Sequence, residues 1–332
     1  TGRYSLRDGY SAPTISFFVN QVFADAGYKK NGHWRGNSED LTIGGNLQFE
    51  EMHEGQAESR KYSDDFCTVT GYANQIRGTQ FMPVEHWLAR QLALNLFDEV
   101  QGPLGVCPNG KVFVEVEEVV TDSAVTYRLK SVSASLVALP GVGELSLRLV
   151  LEKHVSKLIQ QGHEAFGLER TPLLDCKISL HSSLSDVVSG LNGGSGVSGR
   201  RLTQDFYGPR VPIGGTTLWG KDWNRPEKAG ALIARQVALQ VVKAGLASEA
   251  TAWLTIHPGE TEFSVSRIET PAGDLHPENW FATGGLNLNL KIDQFSGRRE
   301  SVFLSPTSTV AWGVHNSINN PGLKKAQKLK SQ

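Results

Sequence analysis

The chain reads Gly193-Gly194-Ser195-Gly196-Val197-Ser198-Gly199-Arg200-Arg201 over its most informative stretch, and Gly214-Gly215 and Gly220-Lys221-Asp222 follow. Glycine lets a backbone approach a ligand closely and exposes its N–H groups, while Arg and Lys supply charge to phosphate oxygens. A nearby acid can hold the divalent ion that bridges those oxygens. The density of this cluster, rather than any single residue, predicts a site for a polyanion.

A Rossmann nucleotide site is the first alternative. Gly194, Gly196 and Gly199 have the spacing of the dinucleotide-binding fingerprint, which requires a strand before the glycines and a helix opening at the last one. Residues 201–207 are predicted to form a strand instead, so the pattern disfavours this site. Any one Arg or Lys here would more often be a solvated surface charge than a ligand.

Composition narrows the class of protein. The chain has 332 residues, 39% hydrophobic and 20% charged, which is enough for a sizeable core and two or three subdomains. A net charge of -1 argues against nucleic acid as the main partner. No apolar run approaches the roughly 18 residues of a membrane span, and the start Thr1–Tyr4 does not resemble a signal peptide, so no membrane partner is expected.

Cysteine usage favours a reducing compartment. Cys67, Cys107 and Cys176 are odd in number and far apart, which predicts free thiols in the cytoplasm. Neither a Cys-x-x-Cys nor a His-Glu-x-x-His motif occurs, so a zinc site is not expected. The nine histidines are scattered and leave a catalytic triad neither supported nor excluded.

Hydrophobic periodicity predicts an α/β protein. Helices are expected over residues 15–26, from Pro83, over 144–160 and over 226–247, and strands over 41–49, 112–116, 124–137, 173–181, 252–257, 262–268 and 286–292. The expected buried stripes are Val84, Leu88, Leu92 and Leu96 in the second helix, Leu145, Leu149 and Leu158 in the third, and Ala229, Leu232, Ile233, Val237, Leu239, Val241 and Val242 in the last.

Several spaced motifs, in order, resemble S-adenosylmethionine synthetase (methionine adenosyltransferase). They are Ser198-Gly199-Arg200-Arg201-(x)3-Asp205-(x)-Tyr207-Gly208, then Gly214-Gly215, then Trp219-Gly220-Lys221-Asp222, then a helix with Ala234-Arg235 that ends in Lys243-Ala244-Gly245-Leu246-Ala247. The resemblance implies three similar sheet-plus-helix subdomains around a pseudo-threefold axis. We expect them at 1–75, 76–172 and 173–320, interleaved in sequence, with 321–332 a solvated basic tail carrying Lys324, Lys325, Lys328 and Lys330.

The resemblance also implies a phosphate-binding set, comprising Lys111, Arg200, Arg201, Lys221 and Arg225. Lys111, Arg200 and Lys221 are the candidate catalytic residues. Arg201 and Arg225 stand where the family has lysine, a change that keeps the charge and adds a fork of donors. Glu227 replaces a magnesium-binding aspartate and can still coordinate the ion, so the resemblance implies Mg²⁺ and allows K⁺.

The rest of the pocket departs from the family. Asp65 keeps a family acid, while Asn109 replaces the aspartate at the ribose and Asn46 replaces the glutamate at the methionine amino group. Asp186 falls near the phenylalanine that the family stacks on its substrate. The family's His-Pro-Asp motif is here Ala12-Pro13-Thr14, and the segment over residues 50–62 is shorter than the family's mobile loop. The phosphate end is kept and the amino-acid end is rewritten.

Three functions remain open. The first is a diverged transferase that binds ATP and transfers its nucleoside, or cleaves its phosphates, with a small-molecule nucleophile other than methionine or a rebuilt methionine site. The second is S-adenosylmethionine synthesis by alternative residues, and the third is a non-catalytic nucleotide-binding homologue or partner subunit. The resemblance also implies a homodimer or dimer of dimers with the site at the interface, where Asp65 and Lys111 of one copy face Lys221 of the other.

Overall fold

The computed structural model describes residues 2–4, 17, 19–20, 23, 28, 47–49, 55–59, 61–101, 106–108, 110–121, 124–138, 141–183, 206–213, 225–276 and 289–295. Its contacts divide the chain into two compact units that are interleaved in sequence. Both combine strands with helices, which confirms the predicted α/β class. The division into three subdomains stays a prediction. No helix among these residues is long and apolar enough to cross a membrane.

The first unit is built on a three-stranded sheet in the order β4-β5-β6, where β4 is Lys111–Val120, β5 is Val125–Val137 and β6 is Lys177–Ser183. β4 and β5 form an antiparallel hairpin, whereas β5 and β6 run parallel. Helices α2, Val84–Phe97, and α3, Glu144–Phe166, pack on each other and on these strands. A parallel pair of short strands, β1 at Gly2–Tyr4 and β2 at Leu47–Phe49, belongs to the same unit.

Helix α2 confirms its predicted stripe, because Val84, Leu88, Leu92 and Leu96 are all buried. It begins directly after Pro83, as expected of a proline that pre-sets the backbone but cannot donate a helical hydrogen bond.

The structure of helix α3 differs from the prediction in its C-terminal end and in which leucines are buried. It extends six residues beyond the expected end, to Phe166, and Gly167 closes it in the left-handed conformation at φ 77°. Leu158 is buried as expected, but Leu145 and Leu149 are 70% and 59% exposed. The helix carries two rows of leucines, and it is the row through Leu147 and Leu151 that faces the core.

The second unit holds a four-stranded antiparallel sheet in the order β3-β7-β8-β9. Its strands are β3 at Cys67–Asn74, β7 at Glu249–Ile256, β8 at Ser264–Thr270 and β9 at Gly273–Asp274, and the short helix α1, Gln56–Ser59, precedes β3. Helix α4, Pro226–Lys243, packs on β3 and β7.

Helix α4 and β3 approach at backbone distance. A Cβ added to Gly71 of β3 would overlap the backbone of Ala234 and Arg235, so only glycine fits there. The predicted sheet-facing stripe of α4 is confirmed, since all its members belong to the buried core of this unit. The helix ends at Lys243, earlier than expected, because Gly245 at φ 74° turns the chain and the N–H groups of Gly245 and Leu246 donate to Val242 and Val241.

Several boundaries differ from prediction. Leu173–Asp175 is a 3₁₀ turn after Pro172 rather than strand, and β6 begins at Lys177. Phe206 and Tyr207 lie in a turn, not in the strand predicted over 201–207, whose first five residues lie outside the described part. Lys291 forms only an isolated bridge with Glu262 before a 3₁₀ turn at Ile292–Phe295. Phe17, Val19, Asn20 and Phe23 are helical, as the pattern over 15–26 predicts.

Candidate functional site

The start of α4 meets the loop that leads into β3. Arg225, the residue before the first turn of α4, forms an ion pair with Asp64, although the two are 161 positions apart in sequence. Both side chains are about half exposed, so solvent screens the pair and it adds little to stability. One guanidinium nitrogen of Arg225 therefore binds Asp64. Because the side chain is half exposed, a ligand in solution can also reach the guanidinium.

The loop around Asp64 is held from both sides. The Ser63 N–H donates to the Glu260 carbonyl at 2.8 Å, and the Gly259 N–H donates to the Ser63 carbonyl at 2.8 Å. Ser63 is buried, and its hydroxyl donates to the Asp65 carbonyl at 2.5 Å. Pro258 and Gly259 form a turn, which fixes the loop around Asp64 to the end of β7.

Asp65 and Glu227 are the two predicted acids of the second unit. The Asp65 carboxylate accepts the Phe66 N–H at 2.8 Å, so this side chain also shapes its own loop, as a loop cap does. Glu227 lies in the first turn of α4, where the helix dipole favours an acid. A carboxylate has several lone pairs, so the bond to the Phe66 N–H does not exhaust the acceptor capacity of Asp65.

Lys111 lies in the first unit. It is the first residue of β4, opposite Ser135 of β5, and its side chain is exposed. It lies three residues after Pro108, where the chain bends.

The remaining predicted site residues lie outside the described residues. These are Asn46, Asn109, Asp186, Arg200, Arg201 and Lys221, together with the replaced motif Ala12-Pro13-Thr14 and the basic tail. Their roles stay predictions.

The sequence predicts no specific role for Arg235, but in the structure this residue is a buried hydrogen-bond donor to the backbone. Its side chain is buried in α4, and it donates to the backbone carbonyls of Tyr72, Phe81 and Gln80, the last at 2.8 Å. Gln80 and Phe81 both have positive φ, at 60° and 63°, which is uncommon for residues with side chains. Burial lowers the pKa of Arg235, and the Tyr207 ring lies 6.0 Å from its guanidinium carbon. The family motif contained Arg235, but a buried cation satisfied by carbonyls has no local sequence signal.

Arg235 thus connects three segments of the second unit. The Tyr72 and Tyr207 rings are 5.7 Å apart, in a small buried cluster that also holds Phe206, Val211 and Ile213. Burial, and then the charge of Glu249, raises the pKa of Tyr72, and burial raises the pKa of Tyr207. Burial therefore disfavours the phenolate form of both side chains. Phe206 follows the predicted phosphate cations Arg200 and Arg201 closely in sequence.

A magnesium ion is compatible with the oxygens near the start of α4. Within the described ranges, no three His, Cys, Asp or Glu side chains converge as a metal cage. Mg²⁺ is commonly held by only one or two carboxylates together with the phosphates of its substrate, and Glu227 suits that role chemically. The Asp64 carboxylate is engaged by Arg225. None of the three cysteines is in a disulfide bond, as expected.

Comparison with known proteins gives one consistent answer. A family model described as S-adenosylmethionine synthetase, C-terminal domain, matches residues 188–271. The S-adenosylmethionine synthase of Methylobacterium radiotolerans is 25% identical over 277 residues, covering 81% of this chain and 66% of that protein. That of Pseudothermotoga lettingae is 31% identical over 216 residues, covering 63% and 52%.

The matched part spans between about half and two thirds of the length of these relatives. A solved structure of an unusual S-adenosylmethionine synthetase from Campylobacter jejuni aligns with a TM-score of 0.72 at 17% identity, covering 98% of this chain and 86% of that one. The structural match establishes the fold. The sequence matches confirm the resemblance predicted from the motifs, at the low identity expected of a diverged relative.

Proposed function

We propose that this chain, which resembles the S-adenosylmethionine synthetases, binds ATP through the triphosphate and transfers the adenosyl group to a sulfur nucleophile, either methionine or a replacement substrate. The C5′–O bond breaks, and the triphosphate that leaves is then hydrolysed by water to phosphate and pyrophosphate, which are released. In this proposal the protein is a methionine adenosyltransferase-like transferase of the cytoplasm, where its free thiols stay reduced.

The observation that carries the proposal is the pairing of Arg225 with Asp64. It brings a half-exposed guanidinium at the start of α4 to the loop that holds Asp65. A helix N-terminus and a guanidinium both favour anions, and residues 188–271, which include this end of α4, match the synthetase C-terminal domain. A triphosphate that binds here competes with Asp64 for Arg225.

The proposed chemistry needs orientation more than proton transfer. A thioether sulfur has no proton to lose, so its attack on the ribose 5′ carbon requires no strong base. The main requirement is stabilisation of the charge that grows on the departing triphosphate oxygen. We assign this role to Lys111, Arg200 and Lys221, with Arg201 and Arg225 as further phosphate ligands. Removal of one well-aimed donor of this kind typically lowers kcat by about 10² to 10³.

The other assignments follow the same proposal. Asp65, Asn109, Asn46 and Asp186 contact the nucleoside or the second substrate. Glu227 would hold Mg²⁺, which neutralises charge on the phosphates, and K⁺ is a second candidate ion. The active form is a homodimer or dimer of dimers, and a stable monomer in sedimentation experiments would count against it.

One incubation tests the function. The protein is mixed with ATP and Mg²⁺, with and without methionine, and the products are separated by mass spectrometry. A sulfonium product that requires methionine supports synthesis, and phosphate release without methionine supports a replaced substrate. Intact ATP with measurable binding rejects transfer and leaves only a nucleotide-binding role.

That non-catalytic role is the second candidate, as a nucleotide-binding homologue or a partner subunit of a conventional synthetase. The sequence favours it, because Ala12 and Thr14 replace the family's histidine and magnesium-binding aspartate. Co-expression with a conventional synthetase, followed by sedimentation of the mixture, distinguishes a partner subunit from an independent protein.

A further inference from the structure

Two aromatic side chains flank the acidic loop of the second unit. Tyr62 and Phe66 stand on either side of Ser63-Asp64-Asp65, and they are 52% and 71% exposed. A single exposed aromatic residue on a surface needs no explanation. Two of them beside an exposed cation and two carboxylates are a different case, because the segment then combines apolar rings and charge at one place.

The loop that carries these rings is fixed by the rest of the unit. The Phe66 N–H is held by the Asp65 carboxylate at 2.8 Å, and both backbone polar groups of Ser63 are bonded to the turn at Gly259 and Glu260. A ligand that contacts a fixed loop loses less free energy to ordering than one that contacts a loose one. The rings are thus presented to solvent by a preorganised segment.

The charges beside the rings indicate which ligand fits. Arg225 binds Asp64, two residues from Phe66, and Arg225 directly precedes the first turn of α4. The Arg225 cation and the N-terminus of α4 together favour binding of an anionic group. An exposed phenyl ring favours stacking of a flat aromatic group. A molecule that carries both groups, a few bonds apart, is a nucleotide.

We propose that Phe66, assisted by Tyr62, is the surface on which the base of a nucleoside triphosphate stacks, while its phosphates bind at Arg225. The inference rests on the proposed ATP binding and adds the residues that recognise the base. Stacking is tolerant of base identity, because every base has a π-face. The site therefore selects for a nucleotide over bare polyphosphate, and only weakly between adenine and guanine.

The test compares two probes by titration calorimetry in the presence of Mg²⁺: ATP and inorganic tripolyphosphate. Phe66→Ala is expected to weaken ATP binding about tenfold, the usual scale of one base–aromatic contact, and to leave tripolyphosphate binding unchanged. Phe66→Trp is expected to preserve ATP affinity. Phe113→Ala is the matched control, because Phe113 is 60% exposed on β4 of the first unit.

The outcomes separate this inference from the function on which it rests. If Phe66→Ala leaves ATP affinity unchanged, or weakens both probes equally, the stacking role is wrong while phosphate binding stands. Wild-type protein that binds ATP no more tightly than tripolyphosphate also overturns it. An Ala variant that changes subunit association instead assigns Phe66 to an interface. If the wild type binds neither probe, the proposed function fails and this inference fails with it.

Discussion

Arg235 of α4 donates a hydrogen bond to the backbone carbonyl of Tyr72 in β3, across 163 positions of sequence. The same guanidinium satisfies the carbonyls of Gln80 and Phe81, whose positive φ values need external support. One buried side chain therefore holds together a helix, a strand and a strained turn.

Replacing Arg235 should show how much the stability of the second unit depends on the several N–H donors of the planar guanidinium. Arg235→Met removes the guanidinium from three carbonyls, of which only that of Phe81 is shown to keep another donor, the Asn74 N–H, and it is expected to lower the free energy of unfolding by about 4 kcal/mol. Arg235→Lys retains one ammonium group and should lose about half as much. Urea unfolding measures both. Arg267→Met is the control, since Arg267 is half exposed and lies over the Trp253 ring; a loss equal to that of Arg235→Met would contradict the assignment.

Gly71→Ala tests the close approach of β3 and α4. Because the added methyl group would overlap the backbone of Ala234, the helix and strand must separate, and we expect a loss above about 4 kcal/mol or failure to fold. Gly143→Ala has open space around its Cβ and a negative φ before α3, so it should change stability by no more than about 1 kcal/mol. Thermal unfolding of the two variants is the comparison, and equal midpoints would refute the packing.

Arg225 and Asp64 should affect ATP affinity in opposite directions. Arg225→Ala removes a proposed phosphate ligand, and we expect ATP binding to weaken by about tenfold or more. Asp64→Asn keeps the size and shape of the side chain that pairs with Arg225 but removes its negative charge. Since that charge competes with phosphate for Arg225, ATP binding should tighten by a few-fold. Calorimetry at two salt concentrations checks both effects, which salt should reduce. Weaker binding in Asp64→Asn would mean that the carboxylate itself contacts the ligand.

His86 predicts a pH dependence of stability in the first unit. Burial, followed by the nearby charge of Arg90, lowers the pKa of His86 from 6.5 to about 4. The unfolded chain therefore binds a proton at higher pH than the folded one. This contribution to stability is fully present above pH 6.5 and is lost as the pH falls towards 4, up to about 3 kcal/mol.

The measurement is the free energy of unfolding of wild type and His86→Gln between pH 4 and 7.5. Glutamine does not titrate, so the wild type should lose stability relative to the variant, by up to about 3 kcal/mol, as the pH falls from 6.5 towards 4. Parallel curves would show that His86 ionises equally in both states.

The sequence was most informative where periodicity was unambiguous. The stripes of α2 and α4 were predictable because each helix offers only one apolar face to a core. In α3 the second leucine row made Leu145 and Leu149 equally eligible, and only the tertiary contact with the sheet decides between the rows. The 3₁₀ turn at Leu173–Asp175 escaped prediction because its apolar residues resemble the strand that follows it.

The site was less accessible to sequence reasoning. The resemblance predicts Arg225 as a phosphate ligand but does not predict its acidic partner Asp64, because two residues 161 positions apart carry no local signal of contact. The resemblance instead predicts the neighbouring residue, Asp65, as the acid of the site. The burial of Arg235 among carbonyls was equally hidden, since a charged residue in a helix is ordinarily expected to be solvated.

The pairing of β3 with β7 also affects how the chain folds during synthesis. Cys67 of β3 lies opposite Ile256, so the ribosome adds nearly two hundred residues, including the whole helix-rich middle of the protein, before the partner strand exists. Until then β3 has no neighbouring strand, and for most of that time it also lacks helix α4, so its unpaired edge is open to other nascent chains. Such distant pairing predicts slow maturation and a need for chaperone protection of the early segment.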